Sequence, residues 1–96
     1  MDKTLYLINL YDYYGSLLTV KQKEYFEDYY FDNLSLSEIS ENRNISRNAI
    51  HKALKDIEDK LEYFENNLKE YERARKIKKI IKDLDQDMKD KIEELL

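Results

Sequence analysis

Cysteine and proline are absent from this chain of 96 residues, and glycine occurs once. Without cysteine there is no disulfide, no thiolate metal site and no thiol nucleophile. Without the usual breakers, turns have to be made by serine, threonine, asparagine and aspartate. Histidine also occurs once, so a general base has no evident partner, and no glycine-rich loop is available to cradle a phosphate. The expectation is a protein that is not an enzyme and uses no cofactor. No apolar run could span a bilayer, and the opening Met1-Asp2-Lys3 lacks the basic-then-apolar plan of a signal peptide. A cytoplasmic protein with no membrane partner is expected.

What is present is charge, unevenly placed. The formal net charge is −4, which argues against coating nucleic acid indiscriminately. From 46 to 55 there are three bases (Arg47, Lys52, Lys55) and no acid. From 69 to 82 seven bases outnumber two acids, and from 83 onward six acids outnumber two bases. Local patches decide electrostatic docking, so the acidic total does not veto binding.

The apolar pattern is helical throughout, and an all-α chain of one domain is expected. Leu5, Leu7, Ile8, Leu10, Tyr11 and Tyr14 predict a first helix, largely buried. Gly15 and Ser16 end it, the glycine by accepting a left-handed conformation. Thr19 and Gln22 have capping-box spacing and open a second helix, with Tyr25, Phe26, Tyr29 and Tyr30 on one face. Asp32-Asn33 is a turn; Ser35 and Glu38 repeat the capping box, and Ser46 caps a fourth helix. From there Ile50, Leu54, Ile57, Leu61, Phe64, Leu68 and Tyr71 make a seam in alternating steps of four and three. Asn66-Asn67 is the expected interruption. The phase slips near Ala74, and Ile77, Ile81, Leu84, Met88, Ile92 and Leu95 form a second stripe. That stripe either folds back on the body or pairs with a second copy; a homodimer is the expectation, because so short a chain makes little core alone.

The segment from Ser35 to Lys55 carries the functional signal. Ile39, Ile45, Ile50 and Ala53 occupy positions that lock two helices together, Ser40 is the small residue at their crossing, and Asn44 sits where the turn needs a positive φ. This is the plan of a helix-turn-helix, which offers its second helix to a nucleic-acid groove. On the outer face stand Ser46, Arg47, Asn48, His51, Lys52 and Lys55. Arg47 and Lys52 suit phosphates or guanine edges, Asn48 a paired contact to adenine, and His51 a base or phosphate. The same six residues also fit a plain solvated face, because base reading needs more than three positive charges. Arg43 stands where a large apolar residue is expected; its stem lying on the surface with the charge in solvent is favoured over a phosphate contact.

Two further groupings offer less. Asp83, Asp85, Asp87 and Glu94 have calcium-loop spacing, but Met88 takes the position that needs glycine, and Leu84, Met88 and Ile92 make these residues a helix. No metal site is expected. Arg73, Arg75, Lys76, Lys78, Lys79 and Lys82 could grip RNA or an acidic protein, though such a run usually solvates a helix, and the acidic stretch after it could pair with it in a dimer.

The runs Leu17 to Lys23, Ser35 to Ser40 and Ile45 to Ile50, with Leu5 to Tyr14 before them and Leu61, Tyr63, Glu65 and Leu68 after, resemble the YlxM family of small bacterial helix-turn-helix proteins. The Leu-Thr-x-x-Gln and Ser-x-x-Glu-Ile elements are also similar to the DNA-reading end of sigma factors. The resemblance implies an all-helical, dimeric helix-turn-helix protein of the sigma-factor region-four type; residues 1–68 (the helix-turn-helix at 35–55) are expected as the helical domain and 69–96 as a long C-terminal helical extension that dimerises or packs back. It also implies a link to the signal recognition particle, beside whose genes such proteins are encoded. Arg43 departs from the family's apolar residue. The partners so implied are nucleic acid, DNA ahead of RNA, or the particle's protein or RNA. A regulatory module that docks in a groove and an adaptor that modulates the particle without touching DNA both remain open.

Overall fold

The computed structural model describes residues 2–96; Met1, where the N-terminal reading began, lies outside them. Among the described residues six α-helices follow in order: α1 (Lys3–Tyr14), α2 (Val20–Tyr30), α3 (Leu36–Arg43), α4 (Arg47–Leu68), α5 (Glu70–Ile81) and α6 (Gln86–Glu93). No strand occurs among the described residues. The long α4 is the axis, with α1, α2 and α3 packed around it. Leu7, Leu10, Phe26, Ile39, Ile50, Ile57 and Leu61 meet there, each at most 1 % exposed.

The helix starts follow from side chains written into the sequence. Thr19 and Ser35 each accept the N–H of the residue three ahead (3.1 Å), while Gln22 and Glu38 reach back to the N–H of the cap. Both expected capping boxes form, and they satisfy donors that a helix leaves free at its first turn. Ser46 caps α4 by accepting from Ala49. Asn33 and Asn44 both take positive φ, 57° and 54°, doing at the turns what glycine does in other chains.

The aromatic residues fill the volume between α1 and α2. Tyr11, Phe26 and Tyr30 form a stacked column with ring centroids 4.4 Å apart at each step. The two tyrosine hydroxyls of the column end on carboxylates, Tyr11 donating to Glu27 (2.7 Å) and Tyr30 to Glu58 (2.6 Å). A buried tyrosine needs such an acceptor for its polar end.

Several expectations fail in informative ways. Gly15 is right-handed (φ −56°) and opens a 3₁₀ turn, Gly15–Leu17, instead of ending α1 in the left-handed region. Its smallness serves packing, because an added Cβ would lie 3.2 Å from the Tyr11 ring. The first helix is buried along one face only, at Leu7, Leu10 and Tyr14, with Leu5 half exposed. Asn66-Asn67 does not interrupt α4; Asn67 donates back to the Tyr63 carbonyl, and the break falls at Lys69, at φ 55°. Leu68 is correspondingly exposed, and the buried position one turn past Leu61 belongs to Glu65.

Glu65 explains the break. Its carboxylate accepts from the Tyr14 hydroxyl (2.6 Å) and from the backbone N–H groups of Tyr71 and Glu72, while the Tyr14 oxygen accepts from the N–H of Glu70. The first turn of α5 is thus capped from α1 and α4 by tertiary contacts. The second stripe is not one helix: α5 ends at Ile81, Leu84 lies in the connection, and Asp85 caps α6 by accepting from Met88. Among the described residues no acidic or histidine group is gathered as a metal site.

Candidate nucleic-acid interface

The helix-turn-helix consists of α3, the turn Asn44-Ile45-Ser46, and the start of α4. Ile39 and Ile50 are fully buried between the helices, with Ile45 and Ala53 partly buried beside them. The turn is closed by the N–H of Ile45 on the Ser40 carbonyl (3.1 Å) and by the Ser40 hydroxyl, which donates to the Ile45 carbonyl. A small hydroxyl residue at the crossing therefore both permits the approach and fixes the turn.

Arg43 corrects the sequence reading. Its guanidinium is neither in free solvent nor available to a phosphate. Nε and Nη2 form a fork on the two Asp28 oxygens (2.8 and 3.1 Å), and Nη1 pairs with Glu24 (3.0 Å). Asp28 is itself buried, and the pairing holds the Arg43 pKa above its ordinary value, chiefly through the Asp28 hydrogen bond. Arg43 locks α3 to α2 in place of an apolar contact. Glu24 and Asp28, one turn apart on α2, were the signal in the sequence for it, legible only once α2 and α3 are known to be neighbours.

With Ile50, Ala53, Leu54 and Ile57 turned to the core, 3.6-residue periodicity sends Arg47, Asn48, His51, Lys52 and Lys55 to the other side of α4. All five are exposed. Ser46 is exposed at the cap, where its oxygen is already used by Ala49. Arg47 and Lys52 have no carboxylate partner among the described residues. Lys55 does: its ammonium pairs with Asp59 at 3.0 Å, and that hydrogen bond raises its pKa. The six predicted residues therefore divide into a cap, four unpaired side chains and one lysine already neutralised within its own helix. The N–H groups of Arg47 and Asn48, at the positive end of α4, have no acceptor among the described residues.

Residues 69–82 divide as well. Arg73 pairs with Glu70 and Lys76 with Glu72, as expected of a solvated face. Arg75 and Lys79 instead line a cleft of 630 Å³ with Lys69, beside the rings of Tyr6 and Tyr71. Sequence reasoning passed over this cleft, because its walls come from α1, the end of α4 and α5.

Comparison with known proteins places the chain closely. Residues 1–96 match the family UPF0122, described as "Putative helix-turn-helix protein, YlxM / p13 like". A UPF0122 protein of Malacoplasma penetrans is 48 % identical over 92 residues, covering 90 % of this chain and 86 % of its own. One from Caldanaerobacter subterraneus subsp. tengcongensis is 49 % identical over 83 residues, 82 % of this chain and 71 % of its own. One from Fusobacterium nucleatum is 40 % identical over 97 aligned positions, 100 % of this chain and 94 % of its own. With an all-helical fold, a locked helix pair and a family match along its whole length, the chain belongs to the UPF0122 family of YlxM/p13-like helix-turn-helix proteins.

Proposed function

We propose that this chain is a non-enzymatic cytoplasmic regulator that docks α4 in the major groove of DNA. The observation that carries the reading is the outer face of α4, where Arg47, Asn48, His51 and Lys52 stand exposed and unpaired on a helix held rigidly from behind. The free N–H groups at the start of α4 suit a backbone phosphate, with Ser46 beside them. Arg47 and Lys52 then reach phosphates or guanine, and Asn48 reads adenine. Lys55 contributes little, since docking it directly means breaking its pair with Asp59 and at longer range the two charges cancel.

Residues 1–68 form the reading unit and residues 69–96 the dimerising extension in this proposal. Exposed apolar side chains on that extension support the dimer: Ile80 is 78 % exposed and Leu95 86 %. Leu95 also lines an apolar depression of 360 Å³ with Tyr13, Ala74, Ile77, Ile92 and Leu96. A two-fold pair presents two copies of α4, as paired half-sites require.

The test is selection of a duplex from a random pool, followed by affinity measurement over a range of salt. Arg47→Ala with Lys52→Ala is expected to weaken binding at least about tenfold and to reduce the salt slope by roughly two. Unchanged affinity in that variant rejects groove docking.

A second reading is favoured by the net charge of −4 and by the Lys55–Asp59 pair. Here the helix pair is a protein-binding adaptor that modulates the signal recognition particle. Association with the particle's protein component in a purified, nuclease-treated mixture supports it; no association there removes it.

A further inference from the structure

The cleft between α1, the end of α4 and α5 has the composition of a ligand site. Its volume, 630 Å³, lies within the range that takes a small organic ligand. Its inner side is aromatic: Tyr71 is buried, Tyr6 partly so, and their rings lie 5.9 Å apart at 57°. The Tyr71 hydroxyl is held by the Asn9 side-chain amide, which donates to it at 3.3 Å. The rim is cationic. Lys69, Arg75 and Lys79 are exposed, and none forms an ion pair within 4 Å among the described residues, although Lys69 lies in the field of Glu72. Arg75 lies 5.6 Å from the Tyr71 ring centroid, which places its guanidinium at the cleft.

The acids that border the cleft are committed elsewhere. Glu65 accepts from Tyr14, Tyr71 and Glu72, and Glu72 pairs with Lys76 at 3.1 Å. Glu65 keeps its charge among uncharged donors and acts on Tyr6 at the floor, so the positive field belongs to the rim, at Lys69, Arg75 and Lys79. An aromatic floor under a cationic rim suits a molecule with a planar ring at one end and several negative oxygens at the other. A bare inorganic anion leaves the tyrosines unused, and a purely apolar ligand leaves the cations unpaired.

We propose that this cleft binds a free mononucleotide, with the base against Tyr6 and Tyr71 and a di- or triphosphate on Arg75, Lys79 and Lys69. Arg75 supplies a two-pronged contact to phosphate oxygens and the lysines supply point charges. The site is separate from the outer face of α4. It bridges the elements that fix α5, so occupancy stabilises the angle at which α5 leaves the body.

Isothermal titration of the full chain with ATP, GTP, inorganic triphosphate and a single-stranded pentanucleotide tests this at low salt. Saturable binding of ATP or GTP is expected, weakened at least about tenfold by Arg75→Ala with Lys79→Ala, both surface changes. Tyr6→Leu is expected to weaken the nucleotide several-fold and leave inorganic triphosphate unaffected; Tyr6→Phe retains binding. Arg47→Ala with Lys52→Ala leaves nucleotide affinity unchanged, so a failure of DNA docking and a failure of this cleft are read separately. Three results overturn the proposal: no saturable binding up to about 10 mM nucleotide, inorganic triphosphate binding as well as ATP and GTP, or the pentanucleotide binding at least about tenfold tighter than any mononucleotide.

Discussion

Asp28 and Glu65 are buried carboxylates stabilised by different means. Asp28 is neutralised by the Arg43 fork, whereas Glu65 is surrounded by uncharged donors, the Tyr14 hydroxyl and two backbone N–H groups. Removing Arg43 leaves Asp28 buried with a charge and no partner, so Arg43→Ala is expected to cost about 1–3 kcal/mol in a urea unfolding curve. The double change Arg43→Leu with Asp28→Leu is expected to recover part of that loss, since an apolar pair carries no unpaired charge. The tyrosines give a signature at the alkaline end. Burial, then the hydrogen bonds to Glu27 and Glu65, push Tyr11 and Tyr14 up to about 12. An unfolded tyrosine titrates near 10. The folded state thus holds protons that the unfolded state releases, and stability is complete below about pH 10 and falls as pH rises toward 12. Unfolding midpoints measured across that window are expected to drop, with a shallower drop in Tyr14→Phe; a flat profile contradicts the assignment.

At the scale of elements, the caps were legible because a cap is a local device. Thr19, Ser35 and Ser46 each act on the three residues that follow, and Asn44 acts on its own φ. Asn44→Val, which forces a β-branched residue into the left-handed region, is expected to lower stability by about 1–2 kcal/mol, while Asn44→Gly stays within a few tenths. Ser46→Ala is expected to cost about 1 kcal/mol by thermal or urea denaturation. On α4 itself, Lys52→Ala is expected to weaken duplex binding more than Lys55→Ala, because Asp59 has already compensated Lys55; equal losses in a titration contradict that ranking. What local pattern concealed was the end of α4. Asn66-Asn67 reads as a breaker in isolation, but the chain turns at Lys69, because Tyr14 and Glu65 wait there to receive the N–H groups of α5. Gly15 was misread for the same reason: its partner, the Tyr11 ring, depends on packing and not on backbone preference.

For the whole molecule, the radius of gyration is 16.5 Å and the extents are 51 × 25 × 24 Å. A compact chain of this length has a radius of roughly 12.5 Å, so the shape is elongated and leaves apolar surface on α5 and α6 uncovered. Light scattering at micromolar concentration is expected to show a dimer, and Ile80→Glu with Leu95→Glu is expected to give a monomer that keeps its helix content by circular dichroism. The first four helices, the capped starts of α2, α3 and α4, the locking residues of the helix pair and the outer face of α4 all depend on neighbours within a turn or two, and the sequence shows them. Arg43 on Asp28, Tyr14 on Glu65 and the cationic cleft around Tyr6 and Tyr71 join residues 15 to 65 positions apart. Spacing along a chain carries no information about such pairs: a charged side chain is a solvated surface group or a buried clamp according to what the fold brings against it.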